Sequence, residues 1–171
     1  TGVLLHGPPG VGKQHLALWI AQVLLCSHKT PTGPCMVCKS CCLSLKVEHP
    51  DLHWFFPVSR PKNTGSNHLS TALETARQDS LISKREDFLR PTSAHTELQG
   101  IYLATIKYLR KQVYKRPSMS PSQVFILGDA QAMVSRDSSS EAANALLKVL
   151  EEPPSDTFFL ITCDILRRLP A

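Results

Sequence analysis

The sequence lacks a membrane span: its longest apolar stretch, HLALWIAQVLLC at 15–26, is too short and too interrupted to cross a bilayer. It also lacks a signal-peptide pattern, so the expectation is a cytoplasmic protein with no membrane contact. Aromatic residues make up only 6%, and no basic-aromatic interleaving suggests the stacking platform of a single-strand binder. Nineteen Lys and Arg against fourteen Asp and Glu give +5, but no dense basic block occurs. Such a charge permits nucleic-acid contact without pointing to it. The seven histidines show no paired helical spacing, so each reads as a surface residue. No internal repeat is apparent. What remains is 171 residues, 42% apolar, about one domain's worth of chain with enough material for a core.

Strand and helix signals alternate, the mark of a layered α/β domain with a mainly parallel sheet. VLLH (3–6) reads as a short buried strand, followed by a glycine-rich loop and a helix from Lys13 to about Cys26. That helix is apolar nearly all round, which predicts burial against the sheet. DLHWFFPV (51–58) places Leu52, Trp54, Phe56 and Val58 on one face of a second strand. Residues 59–93 turn polar, with a weak helical pattern around Leu69–Ile82, and are expected to be a surface insertion. Helical spacing returns at Tyr102, Ile106, Leu109 and Val113. QVFILGD (123–129) and TFFLITC (157–163) are further strands. Between them, Ser138 and Glu141 form a capping box for a helix stopped by Pro153–Pro154. The chain begins directly on a strand and stops at RRLPA without a natural finish, so the expectation is a fragment.

GPPGVGKQ (7–14) follows the phosphate-loop pattern G-x-x-x-x-G-K-[ST] up to its last letter. Gly7, Gly10 and Gly12 let backbone N–H groups approach an anion, the helix N-terminus adds its dipole, and Lys13 reaches the outer phosphates. The rival reading is a turn that merely joins strand to helix. Gln14 stands where a hydroxyl would hold Mg²⁺, and an amide oxygen is a weak substitute for a hard cation. Asp129, at the tip of a later strand, suits the metal-ordering acid of such sites, or else is simply a turn residue. Ala130 follows it where a glutamate would polarise water, so the catalytic base is missing. Binding of ATP or ADP can survive such losses; hydrolysis should not.

Cys26, Cys35, Cys38 and Cys41 are spaced C-x8-C-x2-C-x2-C, which lets four thiolates converge on one tetrahedral Zn²⁺. Four ligands leave no open position, so the metal would be structural, in a module spanning 26–49. Disulfides are the competing reading, disfavoured beside a phosphate loop. Cys42 is a spectator or alternate ligand, and Cys163 a small core hydrophobe.

The order of phosphate loop, four-cysteine module, HPD (49–51) entering a strand, strand-tip aspartate, AANALLKVLEEPP (142–154) and a strand bearing Thr162 resembles the AAA+ domain of bacterial DNA polymerase III clamp-loader subunits. The resemblance covers most of the chain outside 59–93. It implies a single three-layer P-loop NTPase domain over 1–171, with the zinc module inserted in it. It further implies a nucleotide site of Gly7, Gly10, Val11, Gly12, Lys13, Gln14, Asp129 and Thr162, the last at the position that senses the γ-phosphate. ATP-hydrolysing gamma/tau subunits carry G-K-[ST] and an Asp-Glu pair, whereas delta-prime subunits have degraded versions of both. Gln14 and Ala130 look like the latter. The family's arginine-finger motif would follow just beyond Ala171.

Three functions stay in play. The first is a non-hydrolysing subunit of the DNA polymerase III holoenzyme, assembling with gamma/tau and delta subunits to place a sliding clamp on primed DNA. The second is an ATP-hydrolysing gamma/tau subunit, and the third a zinc-stabilised nucleic-acid-binding module.

Overall fold

The apolar runs pair into one sheet. Strands β1 (Gly2–His6), β2 (Leu52–Phe55), β5 (Gln123–Leu127) and β6 (Thr157–Cys163) form it in the order β1-β6-β5-β2. Every pairing in it is parallel. The computed structural model describes residues 1–61, 68–86, 99–134 and 139–164. β5 is buried at every position, as a central parallel strand covered on both faces should be. β1 lies at one edge, where Val3 and Leu4 are exposed. The stretch expected as one strand over 51–58 divides at Pro57. Val58–Ser59 (β3) instead pairs antiparallel with Gln99–Gly100 (β4), since proline has no N–H to continue a ladder.

Helices cover both faces. On one, Ile106, Leu109 and Val113 of α4 (Leu103–Val113) and Ala142, Leu146 and Val149 of α5 (Ser139–Glu151) meet Phe55, Phe125, Leu127 and Phe159. On the other, Ala17, Ala21 and Leu25 of α1 (Lys13–Leu25) pack on Leu52, Trp54, Phe56, Val124, Ile126 and Leu160. Leu52, Trp54, Phe56 and Val58 do share a side, as their alternation predicts. Each fully buried large side chain contributes about 1.5–3 kcal/mol. α1 departs from the expected all-round burial: Ala17, Ala21, Gln22 and Leu25 are buried and Leu18, Ile20 and Leu24 pack partly against the core, while Leu16 and Trp19 are exposed. Ser138 lies outside the described residues.

The polar stretch expected as a surface insertion contains α3 (Leu69–Glu86), and this helix is part of the packed structure. Leu73 is buried in the α1-side core, with Leu69 and Leu81 packed against it. Arg77 lies over the Phe55 ring and donates to the Trp54 carbonyl at 2.8 Å. Residues 62–67 and 87–93 of the same stretch lie outside the described residues.

The cysteine segment adds a short helix, α2 (Lys39–Leu45), ending in a left-handed turn at Val47 (φ 54). A β-branched residue is strained there. Its burial and the 2.7 Å bond from Arg85 of α3 to its carbonyl hold it in place. The segment joins the sheet through a buried network. The Asp51 carboxylate accepts N–H bonds from Ser118, Met119 and Ser120 at 2.6–2.8 Å, and the Ser118 hydroxyl at 3.1 Å. His49 Nδ1 accepts the Asp51 N–H and its Nε2 meets the Ser120 hydroxyl, each at 3.1 Å. His49 is thus a core residue, correcting the surface reading, and His53 is half-buried and stacked on Phe125 at 4.7 Å.

Candidate functional site

Parallel register brings the C-terminal ends of all strands of the main sheet to one rim. Leu5 lies beside Thr162 and His6 beside Cys163, so the loop leaving β1 sits next to the residues leaving β6. Phe55 lies beside Leu127, which sets Trp54 near the tip of β5. In open parallel sheets this rim is where ligands bind.

In the loop, Gly10 (φ 84) and Gly12 (φ 86) adopt the left-handed conformation that turns successive amides to one side. Gly12 caps α1 with no side-chain bond to its first-turn amides, and Val11 is exposed at the crest. Such a turn at a helix N-terminus fits a phosphate. Lys13 Nζ donates to the carbonyls of Gly7 and Pro8 at 2.8 Å and forms an ion pair with Asp164. A carboxylate of the chain itself therefore occupies the lysine.

Asp129 follows β5 with φ 52, a left-handed turn fixed by its N–H bonding to the Thr162 hydroxyl at 3.0 Å. Thr162 is fully buried, and this bond ties the strand tips of β5 and β6 together. The Thr162 hydroxyl thus holds the backbone of Asp129. Burial pushes the Asp129 carboxyl above the usual range and the Asp164 charge adds to this, while Lys84, Lys13 and the Gln14 bond oppose it.

Gln14 Nε2 donates to Asp129 Oδ2 at 2.8 Å, and a Cβ added at Gly128 would lie 3.3 Å from that nitrogen. The carboxylate can only accept, so the amide must present its NH₂. Mg²⁺ held between position 14 and the strand-tip acid does not fit: the two groups are bonded to each other. Ala130 is fully buried among Phe55, Leu127 and Leu146, so a glutamate there would enter the core instead of meeting water.

The cysteines behave differently. The sulfurs of Cys26, Cys35, Cys38 and Cys41 all lie within 4.8 Å of one another, with Cys26–Cys38 and Cys35–Cys41 at 3.9 Å. A tetrahedron with Zn–S bonds of 2.3 Å has edges of about 3.8 Å. Backbone N–H groups of His28 and Cys35 point at the Cys26 sulfur, of Cys38 at Cys35, and of Cys41 at Cys38, each at 3.4 Å. Such donors stabilise thiolates and orient metal ligands. Burial opposes ionisation of Cys38, yet the Cys41 and Ser27 amides hold its thiol down at about 6. Burial and the neighbouring sulfurs push Cys41 up to about 12. The set fits a closed structural zinc. None of the cysteines is in a disulfide, and Cys42 lies outside the cluster, exposed.

Sequence reasoning missed Asp164, Lys84 and the His49–Asp51–Ser120 network. Asp164 was the most accessible of these, just past the end of β6, a strand parallel to the one feeding the loop. Among the described residues, no helix is long and apolar enough to cross a membrane.

The chain is similar to known proteins over nearly all of its length. Residues 1–170 match the family model for DNA polymerase III, delta subunit. DNA polymerase III subunit delta' of Yersinia pestis is 30% identical over 94% of this chain and 35% of its own length. That of Pseudomonas aeruginosa is 31% identical over 92% of the chain and 35% of its own length. DNA polymerase III subunit gamma/tau of Mycobacterium tuberculosis is 26% identical over 92% of the chain and 20% of its own length. A solved gamma subunit-related protein of Thermotoga maritima aligns at 15% identity with a TM-score of 0.38, over 74% of this chain and 39% of that one. The chain spans about a third of the length of the delta' relatives it matches. With nearly its whole length matched, the chain belongs to the DNA polymerase III delta subunit family.

Proposed function

We propose that the protein carrying these residues is a non-hydrolysing subunit of a DNA polymerase III clamp loader, of the delta-prime kind. It assembles with gamma/tau and delta subunits and helps them place the sliding clamp on primed DNA. The observation that carries this reading is the Gln14–Asp129 bond beside a buried Ala130. A domain that keeps its sheet, its cysteine module and its glycine loop, while its metal-ordering acid is tied to a glutamine, has been retained for its surfaces. The same bond argues against a hydrolysing subunit, and family membership argues against an unrelated nucleic-acid module. In this reading Cys26, Cys35, Cys38 and Cys41 hold one structural Zn²⁺. The loop from Gly7 to Gln14 binds ATP or ADP weakly, with Asp129 and Thr162 at its rim. DNA contact arises from scattered Lys and Arg and is strongly salt-dependent.

The test is reconstitution of the full-length protein with gamma/tau and delta subunits. Co-purification as a complex whose clamp loading depends on this subunit is the expected result. A loader that assembles and loads clamps equally well without it overturns the proposal.

A further inference from the structure

The chain itself saturates the ammonium of Lys13. An ammonium has three protons to donate, and three acceptors surround this one: the carbonyls of Gly7 and Pro8, each at 2.8 Å, and Asp164 Oδ1 at 2.5 Å. The two carbonyls belong to the loop and hold the nitrogen over it. The third acceptor is a carboxylate from the far end of the chain. Only 9% of the Lys13 side chain and 25% of that of Asp164 are exposed, so the pair is largely shielded from water. Asp164 is also fastened in place. Its N–H donates to Gln131 Oε1 at 3.2 Å, and Gln131 lies in the short turn Ala130–Val134 that follows Asp129. Asp129 in turn is tied to Thr162 through its N–H and to Gln14 through its carboxylate. The residues leaving β5 and β6 thus set the carboxylate against the lysine with bonds of their own. To an ammonium, a carboxylate oxygen and a phosphate oxygen are equivalent partners, each an anionic acceptor at hydrogen-bond distance.

We propose that Asp164 is a tethered competitor for the phosphate position on Lys13, and that it sets how weakly the loop takes a nucleoside di- or triphosphate. This rests on the reading of residues 7–14 as a nucleotide-binding loop. A ligand meets the lysine only in the fraction of molecules in which Asp164 has swung away, so its apparent dissociation constant rises by the inverse of that fraction. A loop closed about nine-tenths of the time binds about tenfold more weakly than an open one. Displaced, Asp164 turns to the solvent it already touches. It is an affinity-determining residue that acts through Lys13 and makes no bond to the ligand.

The experiment is equilibrium titration of the full-length protein with a fluorescent ADP analogue. Asp164→Asn, which keeps the shape and removes the charge, should bind about tenfold tighter than the parent. Gln131→Ala, which keeps the carboxylate and removes its fastening, should bind about two- to threefold tighter. Lys13→Met combined with Asp164→Asn should bind no tighter than Lys13→Met alone. A parent that does not bind beside an Asp164→Asn variant that does is the expected result in its strongest form. Asp164→Asn binding within about twofold of a parent that binds, or more weakly, overturns the proposal and leaves the nucleotide reading intact. A gain that persists without Lys13 also overturns it. Absence of binding by the parent and by every variant removes the nucleotide reading and the proposal with it. If Asp164→Asn shows no cooperative melting, Gln131→Ala decides, and an unchanged affinity there overturns the proposal.

Discussion

The two ends of α1 make an instructive pair. At its N-terminus, groups suited to a nucleotide and a metal are engaged with one another: Lys13 with Asp164, Gln14 with Asp129. At its C-terminus, four sulfurs converge without any such closure, and backbone amides are aimed at them from outside. A site built around a ligand keeps its donors facing a common centre and recruits a second ring of groups to hold them there. At the N-terminal end the donors are instead satisfied by the chain's own carboxylates.

The largest effect should come from breaking the intact end. One zinc per full-length chain is expected by elemental analysis, and Cys38→Ser or a strong chelator should remove it. Structural zinc contributes about 10–16 kcal/mol in small zinc peptides. Its loss should therefore disorder 26–49, read as lost amide protection there while the sheet stays protected. Less than half an equivalent of zinc in protein purified without chelator would contradict the comparison at its root.

Next come changes that test how each end is joined to the sheet. Asp51→Ala strands the amides of Ser118, Met119 and Ser120, at a cost of about 3 kcal/mol in denaturant unfolding. Ala130→Glu, which restores the letter of an active relative, should cost a similar amount, about 3 kcal/mol, because the carboxylate enters the core. Phosphate-release assays should show no turnover for Gln14→Thr combined with Ala130→Glu. Robust Mg²⁺-dependent ATPase activity in the unaltered protein, abolished by Lys13→Ala, would overturn the assignment of the N-terminal end.

A gentler lever is pH. His53 is lowered to about 4 by burial, assisted by the Arg77 charge, and His49 is also lowered by burial. Both fold as neutral rings. Their contribution is complete above the ordinary histidine value near 6.5 and declines as pH falls toward 4. The denaturation midpoint should accordingly drop between pH 7.5 and 5, and drop less in a His53→Gln variant. An identical pH response in that variant would remove His53 from the account.

Much of this was readable from local pattern. Strand β5 announces itself by an unbroken apolar run, α4 by Ile106, Leu109 and Val113, and the metal cluster by cysteines three residues apart. α2 was missed because seven residues rich in Ser and Cys carry little helical signal; the Cys38 sulfur, accepting the Cys41 N–H, starts it. Other features depend on partners far along the chain. His49 meets Ser120 71 residues on, and Lys13 meets Asp164 151 residues on. α3 was taken for a surface segment because its polar composition hides long side chains that reach inward by their tips.

The pairing of β1 with β6 carries a kinetic consequence. Thr1 bonds to Thr157, 156 residues away, whereas Gln123 on β5 bonds to Thr157 across only 34. Closing the longer loop costs about 1.4 kcal/mol more in chain entropy. β5, β6 and the helix between them can therefore associate first, with β1 joining last, after nearly the whole segment has been synthesised. The glycine loop hangs from β1, so its shape is a late product of folding. A ligand held there should slow unfolding while leaving the folding rate nearly unchanged.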